Sequence, residues 1–311
     1  MKWDNQKSPL RFREDGTFTI VQFTDVHWQK GDELDQKSLL LMRNIMHAEK
    51  PDLIVYTGDT IYSMGCDDPI AALRQAVSIS EELGIPWAVV FGNHDAEAGV
   101  TREELMAICT GSKFGLSEPG PKTISGIGNH VITVIGNKDN APAARLYFLD
   151  SGDYAPESIG GYGWIQPDQI AWFRNESMSF SHNNGRLVPA LAFFHIPLQE
   201  YKQLWEQGST RGTKEEEVCC AQINSGMYAA MLECRDVIAV FAGHDHLNDY
   251  GGDWNGIKLY YGRATGYNTY GFEHRGARII RMRECSEDVE TWIRIDTGEC
   301  IYYPWRTPSS S

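Results

Sequence analysis

The chain has 311 residues, is 42% hydrophobic and carries a formal net charge of −14. That length and apolar content can bury a substantial core, as one large domain or two ordinary ones. The acidic balance argues against non-specific binding to nucleic acid or anionic membrane, since both need basic surfaces that neutralise phosphate.

The opening segment MKWDNQKSPLRFRED has no apolar h-region or cleavage signal, and no stretch approaches the roughly 20 apolar residues of a membrane span. A cytoplasmic protein is therefore expected, taking the chain to begin at its native start. Seven cysteines, at 66, 109, 219, 220, 234, 285 and 300, form no CxxC pair and are odd in number, so they read as reduced thiols. Adjacency strains a disulfide between Cys219 and Cys220, which are taken as structural.

In chain order, a strand is predicted near residues 17–24. Leu39, Met42, Ile45 and Met46 then recur at helical spacing before Pro51, and a second strand begins at Asp52. Asp68 and Pro69 have the character of an N-cap and first helical residue. Ile70, Leu73 and Val77 give an apolar stripe, and Gly84 closes the helix before a third strand. Thr101 and Glu104 have capping-box spacing for a short helix. The opening is thus βαβαβα.

The middle changes character. HVITVIG and ARLYFLD read as adjacent strands, Pro167 starts a helix carrying Ile170 and Phe173, and a buried strand delivers His195. Residues 196–224, rich in charge and glycine, are expected to be a long surface excursion. GIKLYYG, ARIIRM and TWIRI read as short strands joined by turns, and the terminal PSSS as a frayed tail. Alternation first and strand-rich pieces later suggest either one mixed sheet or two sheets.

Five of the apolar segments run straight into metal-ligand residue types. FTIVQFTDVH ends at Asp25 and His27, DLIVYTGD at Asp59, WAVVFGNHD at Asn93 and His94, LAFFH at His195, and VIAVFAGHDH at His244 and His246. Strands that end in polar side chains can bring distant residues together at one sheet edge, where α/β folds bind ligands. Singly, each has an ordinary reading: Asp25 and His27 as loop residues, Gly58-Asp59 and Gly92-Asn93-His94 as turns, His195 as a core histidine. Together, oxygen and nitrogen donors in that number suggest two metal ions in one site spanning residues 18 to 246, which argues for one domain. Asp25 and His27, two apart at a strand end, can face the same way. Gly58 lets the Asp59 carboxylate approach closely and bridge two ions through its two oxygens. Asp95 is placed to orient the His94 imidazole.

The order D-x-H, G-D, G-N-H-D, H, G-H-x-H resembles the calcineurin-like metallophosphoesterase superfamily. FLDSGDY, GYGWIQPDQIAWF, FFHIPLQEY, INSGMY, GHDHLND and TGYNTYG resemble the branch that contains the yeast Dcr2-type phosphatases and plant purple acid phosphatases 28 and 29. The resemblance implies an α/β fold of four layers, an αββα sandwich of two mixed sheets flanked by helices. It implies a single domain over residues 1–311, with a short lead over 1–15 and a frayed tail over 306–311. It implies that Asp25, His27, Asp59 and His246 hold one ion and Asp59, Asn93, His195 and His244 the other, with His94 as the catalytic histidine near the leaving-group oxygen. Asp245 and Asp249 are read as lying behind the ligands or at the surface.

The ions would be divalent or mixed-valence (manganese, iron, zinc or similar), since availability competes with affinity. Such a pair generates a bridging hydroxide near neutral pH that attacks phosphorus directly, without a phosphoenzyme. The expected activity is phosphomonoester hydrolysis on a phosphorylated small molecule or phosphoprotein, with a phosphodiesterase or a non-catalytic scaffold as alternatives. Tyr62 follows Asp59 at the spacing by which true purple acid phosphatases supply a tyrosinate to iron; because His27 fills that coordination position, Tyr62 is read as packing. Arg263 stands between a phosphate clamp and an ion-pair partner. Trp28, Tyr154, Tyr162, Tyr267 and Tyr270 flank the motifs and could line a pocket, most of them by packing.

Overall fold

The computed structural model describes residues 9–304. The first half runs β1 (Thr17–Phe23), α1 (Glu33–Glu49), β2 (Leu53–Thr57), α2 (Pro69–Ala76), α3 (Ser78–Leu83), β3 (Trp87–Val90), α4 (Arg102–Gly111), β4 (His130–Ile135) and β5 (Pro142–Phe148). The second half runs α5 (Pro167–Asn184), β6 (Ala190–Phe193), α6 (Glu200–Gln207), β7 (Ser209–Arg211), α7 (Met227–Cys234), β8 (Val237–Ala242), β9 (Gly251–Trp254), β10 (Ile257–Tyr261), β11 (Gly276–Arg283), β12 (Val289–Ile295) and β13 (Cys300–Ile301). The predicted tail over 306–311 lies outside the described residues.

The cap residues behave as their chemistry dictates. Asp32 accepts the amides of Leu34 and Asp35 to start α1, and Asp68 accepts that of Ala71 to start α2, with Pro69 at the first helical position. Thr101 and Glu104 close a reciprocal capping box at α4. The single helix expected from Asp68 to Gly84 is two: the chain bends at Val77 (φ −92°, ψ −1°) before α3 closes on left-handed Gly84. Apolar spacing registers buried faces and is blind to such a bend.

The strands form two sheets, in the orders β13-β12-β11-β1-β2-β3 and β4-β5-β6-β8-β10-β9-β7. Within β1, alternate residues serve different layers: Phe18 and Ile20 pack between the sheets, while Val21 and Phe23 face the helices. The layer between the sheets gathers Leu53, Val55, Leu146, Leu191 and Phe241, with the rings of Phe148, Phe193, Phe241 and Tyr260 stacked 5.4 to 5.6 Å apart in series. Burying each such side chain contributes on the order of 2 kcal/mol. Helices α1 to α4 cover the outer face of one sheet, where Met42, Ile45, Leu73 and Leu105 pack against Ile54 and Tyr56. Helices α5 to α7 cover the other, where Phe173, Leu204 and Met231 pack against Tyr147 and Val240. Three apolar layers between four layers of secondary structure make the αββα sandwich, and β-strands that are buried on both faces explain why the sequence could not separate one sheet from two.

Residues 196–224 are not a plain surface excursion. They contain α6, whose Tyr201 and Leu204 are fully buried, and the edge strand β7. Apolar residues three apart among charges were too few to show a period. The Gly-rich strand β9 escaped for the same reason. Ahead of β1, Leu10 and Phe12 are buried, and Phe12 N and Leu10 O bond the backbone of Ile135. All seven cysteines are free thiols. Among the described residues, no helix is long and apolar enough to cross a membrane.

Strands β1, β2 and β3 run parallel, as do β5, β6, β8 and β10, so their C-terminal ends collect at common edges. Backbone bonds lace the loops that leave those edges: Asp25 N to Gly58 O, His27 N to Asp59 O, Gly243 N to His195 O and Gly266 N to Asp25 O.

Candidate metal centre

Asp25, His27, Asp59, Asn93, His195, His244 and His246 are all buried, none more than 7% exposed. Donor atoms of Asp25, His27, Asp59 and His246 lie within 4.8 Å of one another, and so do those of Asp59, His195 and His244. Asp59 belongs to both groups. Its Oδ2 sits 3.1 Å from His195 Nε2 and 3.6 Å from His27 Nε2, yet no contact there has hydrogen-bond geometry. Its Oδ1 accepts the backbone amide of His94 at 2.8 Å, while Oδ2 is the oxygen nearest both histidines.

Whether these residues fit metal ions is answered by their partners. His27 Nε2, Asp59 Oδ2 and Asn93 Oδ1 are buried without a hydrogen bond, a cost of about 1–3 kcal/mol each if nothing met them, and His244 turns Nδ1 to within 3.2 Å of His195 Nε2. Behind the donors the other atoms are engaged. His195 Nδ1 lies 2.8 Å from Thr57 O and His246 Nδ1 lies 3.0 Å from Tyr270 O, contacts that fix each ring with Nε2 inward. Thr24 Oγ1 donates to Asp25 Oδ2 at 2.7 Å. The donor set therefore fits two hard or borderline cations.

The backbone supports the same reading. Asp25 (φ 53°), His27 (φ 50°), Asp59 (φ 48°) and His244 (φ 78°) all occupy the left-handed region, which costs a non-glycine residue on the order of 1 kcal/mol or more and clusters at functional sites. Two glycines make room: a Cβ on Gly58 would lie 2.3 Å from His195 Nδ1, and one on Gly92 would lie 2.1 Å from Asp59 Oδ1.

Electrostatics couples the cluster. Burial disfavours ionised Asp25, but the imidazoles of His246 and His195 outweigh it and hold the carboxyl at about 2. Burial likewise opposes the charge of Asp59, while His195 and His27 hold it well below the usual carboxylate range. Desolvation depresses His27 to about 4 and His244 to about 3. His195 is also desolvated, yet the Asp59 carboxylate overrides this and raises it to about 9, so a cation arriving at its Nε2 must displace a proton.

With that geometry in view, comparison with known proteins is decisive: residues 18–248 match the family described as calcineurin-like phosphoesterase. The chain belongs to that family. The Arabidopsis thaliana protein named probable inactive purple acid phosphatase 28 is 36% identical to this calcineurin-like phosphoesterase, over 93% of this chain and 83% of its own. Phosphatase DCR2 of Saccharomyces cerevisiae is 31% identical over 94% of this chain, which spans 56% of that longer protein. Among solved structures, a dimetal phosphatase from Danio rerio superposes with a TM-score of 0.60 at 16% identity, covering 88% of this chain and 98% of its own, a likeness of fold.

His94 is half-exposed beside the donors, its ring 5.2 Å from that of His27. Here the expectation for Asp95 is corrected. Its carboxylate is fully buried and accepts Ile61 N at 2.9 Å and Gly92 N at 2.7 Å, pinning the Asp59 and Asn93 loops together instead of reaching the imidazole. Desolvation, and then the charge of Asp59, raise it to about 7. The residue that meets His94 is Glu97, whose Oε2 lies 2.7 Å from Nδ1. Its spacing, three residues on within GNHDAE, was the available signal; Asp95, adjacent in sequence, drew the assignment because the turn that sends its side chain inward leaves no pattern.

The other flagged residues sort by contact. Tyr62 sets its ring edge-on to His94, 5.4 Å between centroids. Arg263 is buried, paired to Asp249 at 2.7 Å and stacked over Phe272, which removes it from any phosphate. Asp245 and Asp249 are buried as well, Asp245 accepting the Tyr261 hydroxyl at 2.6 Å. Trp28 and Tyr267 pack away from the donors, whereas Tyr154, Tyr162 and Tyr270 wall the mouth. Tyr162 meets the His244 ring at 4.2 Å and Tyr270 meets the His246 ring at 4.3 Å. Tyr270 donates to Glu216 Oε2 at 2.9 Å, a rim contact the sequence did not announce.

Proposed function

We propose that this chain is a phosphomonoesterase that depends on two metal ions and acts on a phosphorylated small molecule or phosphoprotein. The observation that carries the reading is the set of buried, unpartnered donor atoms on His27, Asp59 and Asn93, with His244 Nδ1 3.2 Å from His195 Nε2, beside a half-exposed histidine. Asp25, His27, Asp59 and His246 would hold one ion, and Asp59, Asn93, His195 and His244 the other. When bound, such a pair supplies an activated water at neutral pH and a clamp on phosphoryl oxygens.

The chain's own residues do the remainder. Asp59, held by the His94 amide, keeps the two halves of the site in register. Thr57 O and Tyr270 O keep the His195 and His246 rings turned inward. His94, with Nδ1 on Glu97, presents Nε2 to the departing oxygen and gives it a proton, a contribution on the order of 10² to 10⁴ in rate for a positioned acid. The choice of monoesters is supported by the names of the purple acid phosphatase and DCR2 relatives.

The words "probable inactive" in the name of the plant relative favour a second reading, a non-catalytic scaffold. Against it stand the unpartnered donors and His94. Elemental analysis of protein reconstituted with manganese, iron, zinc, cobalt or magnesium, joined to assays on p-nitrophenyl phosphate and bis-p-nitrophenyl phosphate, separates the readings. Two ions per chain and faster monoester turnover support the proposal. Faster diester turnover would reassign it as a phosphodiesterase, and no bound metal with no hydrolysis would leave the scaffold.

A further inference from the structure

Glu97 divides its two carboxylate oxygens between two parts of the site. Oε2 lies 2.7 Å from His94 Nδ1, and Oε1 accepts the Tyr154 hydroxyl at 2.7 Å. Tyr154 Oη in turn accepts from Asn93 Nδ2 at 3.1 Å. The main chain beneath is fixed by one hydroxyl: Ser63 Oγ donates to His94 O at 2.7 Å and accepts Glu97 N at 2.9 Å. Ring geometry then decides which nitrogen of His94 is available. With its Nδ1–H bound to the carboxylate, the ring turns Nε2, across from it, to the site, and the proton given to the departing oxygen is the Nε2–H of the doubly protonated ring. The amide of Asn93 is decided in the same way. A phenol that gives its own proton to Glu97 can only accept from Asn93, so Nδ2 points outward and Oδ1, buried and unpartnered, points inward.

We infer that Glu97 and Tyr154 form a positioning strap, in which one carboxylate sets the donor nitrogen of His94 and, through the tyrosine, the face that Asn93 presents to the metal position. This goes beyond the proposed function by assigning residues that set the chemistry without touching substrate or metal, and it rests on that reading for its catalytic limb. Tyr154 is suited to the task because its ring is held by stacking on Tyr162, 5.9 Å between centroids. Asp95 cannot substitute, since both its oxygens are taken by backbone amides.

The two limbs are tested separately on the full chain with Glu97→Ala, Tyr154→Phe, His94→Ala and the Glu97→Ala/His94→Ala pair. Phenyl phosphate needs more help in leaving than p-nitrophenyl phosphate. Glu97→Ala is expected to lower kcat on phenyl phosphate about 10²-fold and on p-nitrophenyl phosphate far less, and to add little once His94 is alanine. Tyr154→Phe, which keeps the ring and loses the hydroxyl, is expected to weaken binding of manganese(II) at the second ion about fivefold by calorimetry on metal-free protein, without substrate. Equal losses on the two esters, or a Glu97→Ala loss that persists in full beside His94→Ala, would overturn the His94 limb. Unchanged manganese affinity in Tyr154→Phe would overturn the Asn93 limb. A wild-type protein that binds manganese and hydrolyses neither ester would instead refute the phosphatase reading, leaving the calorimetry to decide the strap.

Discussion

On the floor of the site, His27 Nε2, Asp59 Oδ2 and Asn93 Oδ1 are buried without partners, and Asp25, His27, Asp59 and His244 sit at left-handed backbone angles. On the rim, Glu97 and Glu216 have each oxygen matched, to His94 and Tyr154 in one case and to Leu247 N and Tyr270 in the other. The floor holds unmet polar groups and strained backbone, whereas the rim is satisfied by protein atoms alone. Metal should therefore matter to the floor's stability, and the rim should keep its arrangement without it.

The largest effect should come from breaking the floor at its shared residue. Asp59→Asn is expected to lose at least one ion by elemental analysis and to lower turnover of p-nitrophenyl phosphate by roughly 10³-fold or more. Retention of both ions at near wild-type rate would remove Asp59 from the centre. His94→Ala should lower kcat by about 10² to 10⁴ while metal content stays at the wild-type value, because the imidazole borders the floor without belonging to it. Parallel loss of metal would place His94 among the ligands.

Stripping metal with a chelator should reduce unfolding free energy by about 4 kcal/mol for protein previously held at a thousandfold excess over its dissociation constant, read from urea midpoints. An unchanged midpoint would mean that the buried donors have no need of a cation.

His130 supplies a control, a buried histidine remote from the ligand set whose Nε2 is also unpartnered, stacked on Phe148 at 4.5 Å. Desolvation depresses it to about 4 despite the contact of its Nδ1 with Gly128 O. Its folded value lies below the unfolded one, so its stabilising contribution is complete above about pH 6.5 and is lost as pH falls toward 4, by on the order of 3 kcal/mol. His130→Phe should flatten stability over that window whether or not metal is present. Equal acid sensitivity in wild type and variant would show that other groups set it.

The smallest change is Asp95→Asn, which keeps one acceptor and loses the other. It should cost about 2 kcal/mol in urea unfolding and leave the ratio of phenyl to p-nitrophenyl phosphate turnover unchanged. A shift in that ratio would return Asp95 to the role the sequence suggested for it.

That the seven residues of the site gather in one place was legible because strands ending in Asp, Asn or His are a pattern of covalent order, and parallel strands carry such ends to one edge whatever the loops do. Caps at Asp68 and Thr101 were legible for a similar reason, each depending on residues within one turn of the helix. Two sheets instead of one, the bend at Val77, the burial of α6, the inward turn of Asp95 and the reach of Glu97 to His94 were not. Each depends on which face a residue turns to a neighbour distant in sequence, or on a φ angle that no local spacing records. By itself the sequence determined which strand ends would bring polar residues to one edge. Only the tertiary structure decided which of their atoms are left unpartnered, because a hydrogen bond to Thr57 O or an amide from His94 consumes one end of a side chain and thereby turns the other toward the site.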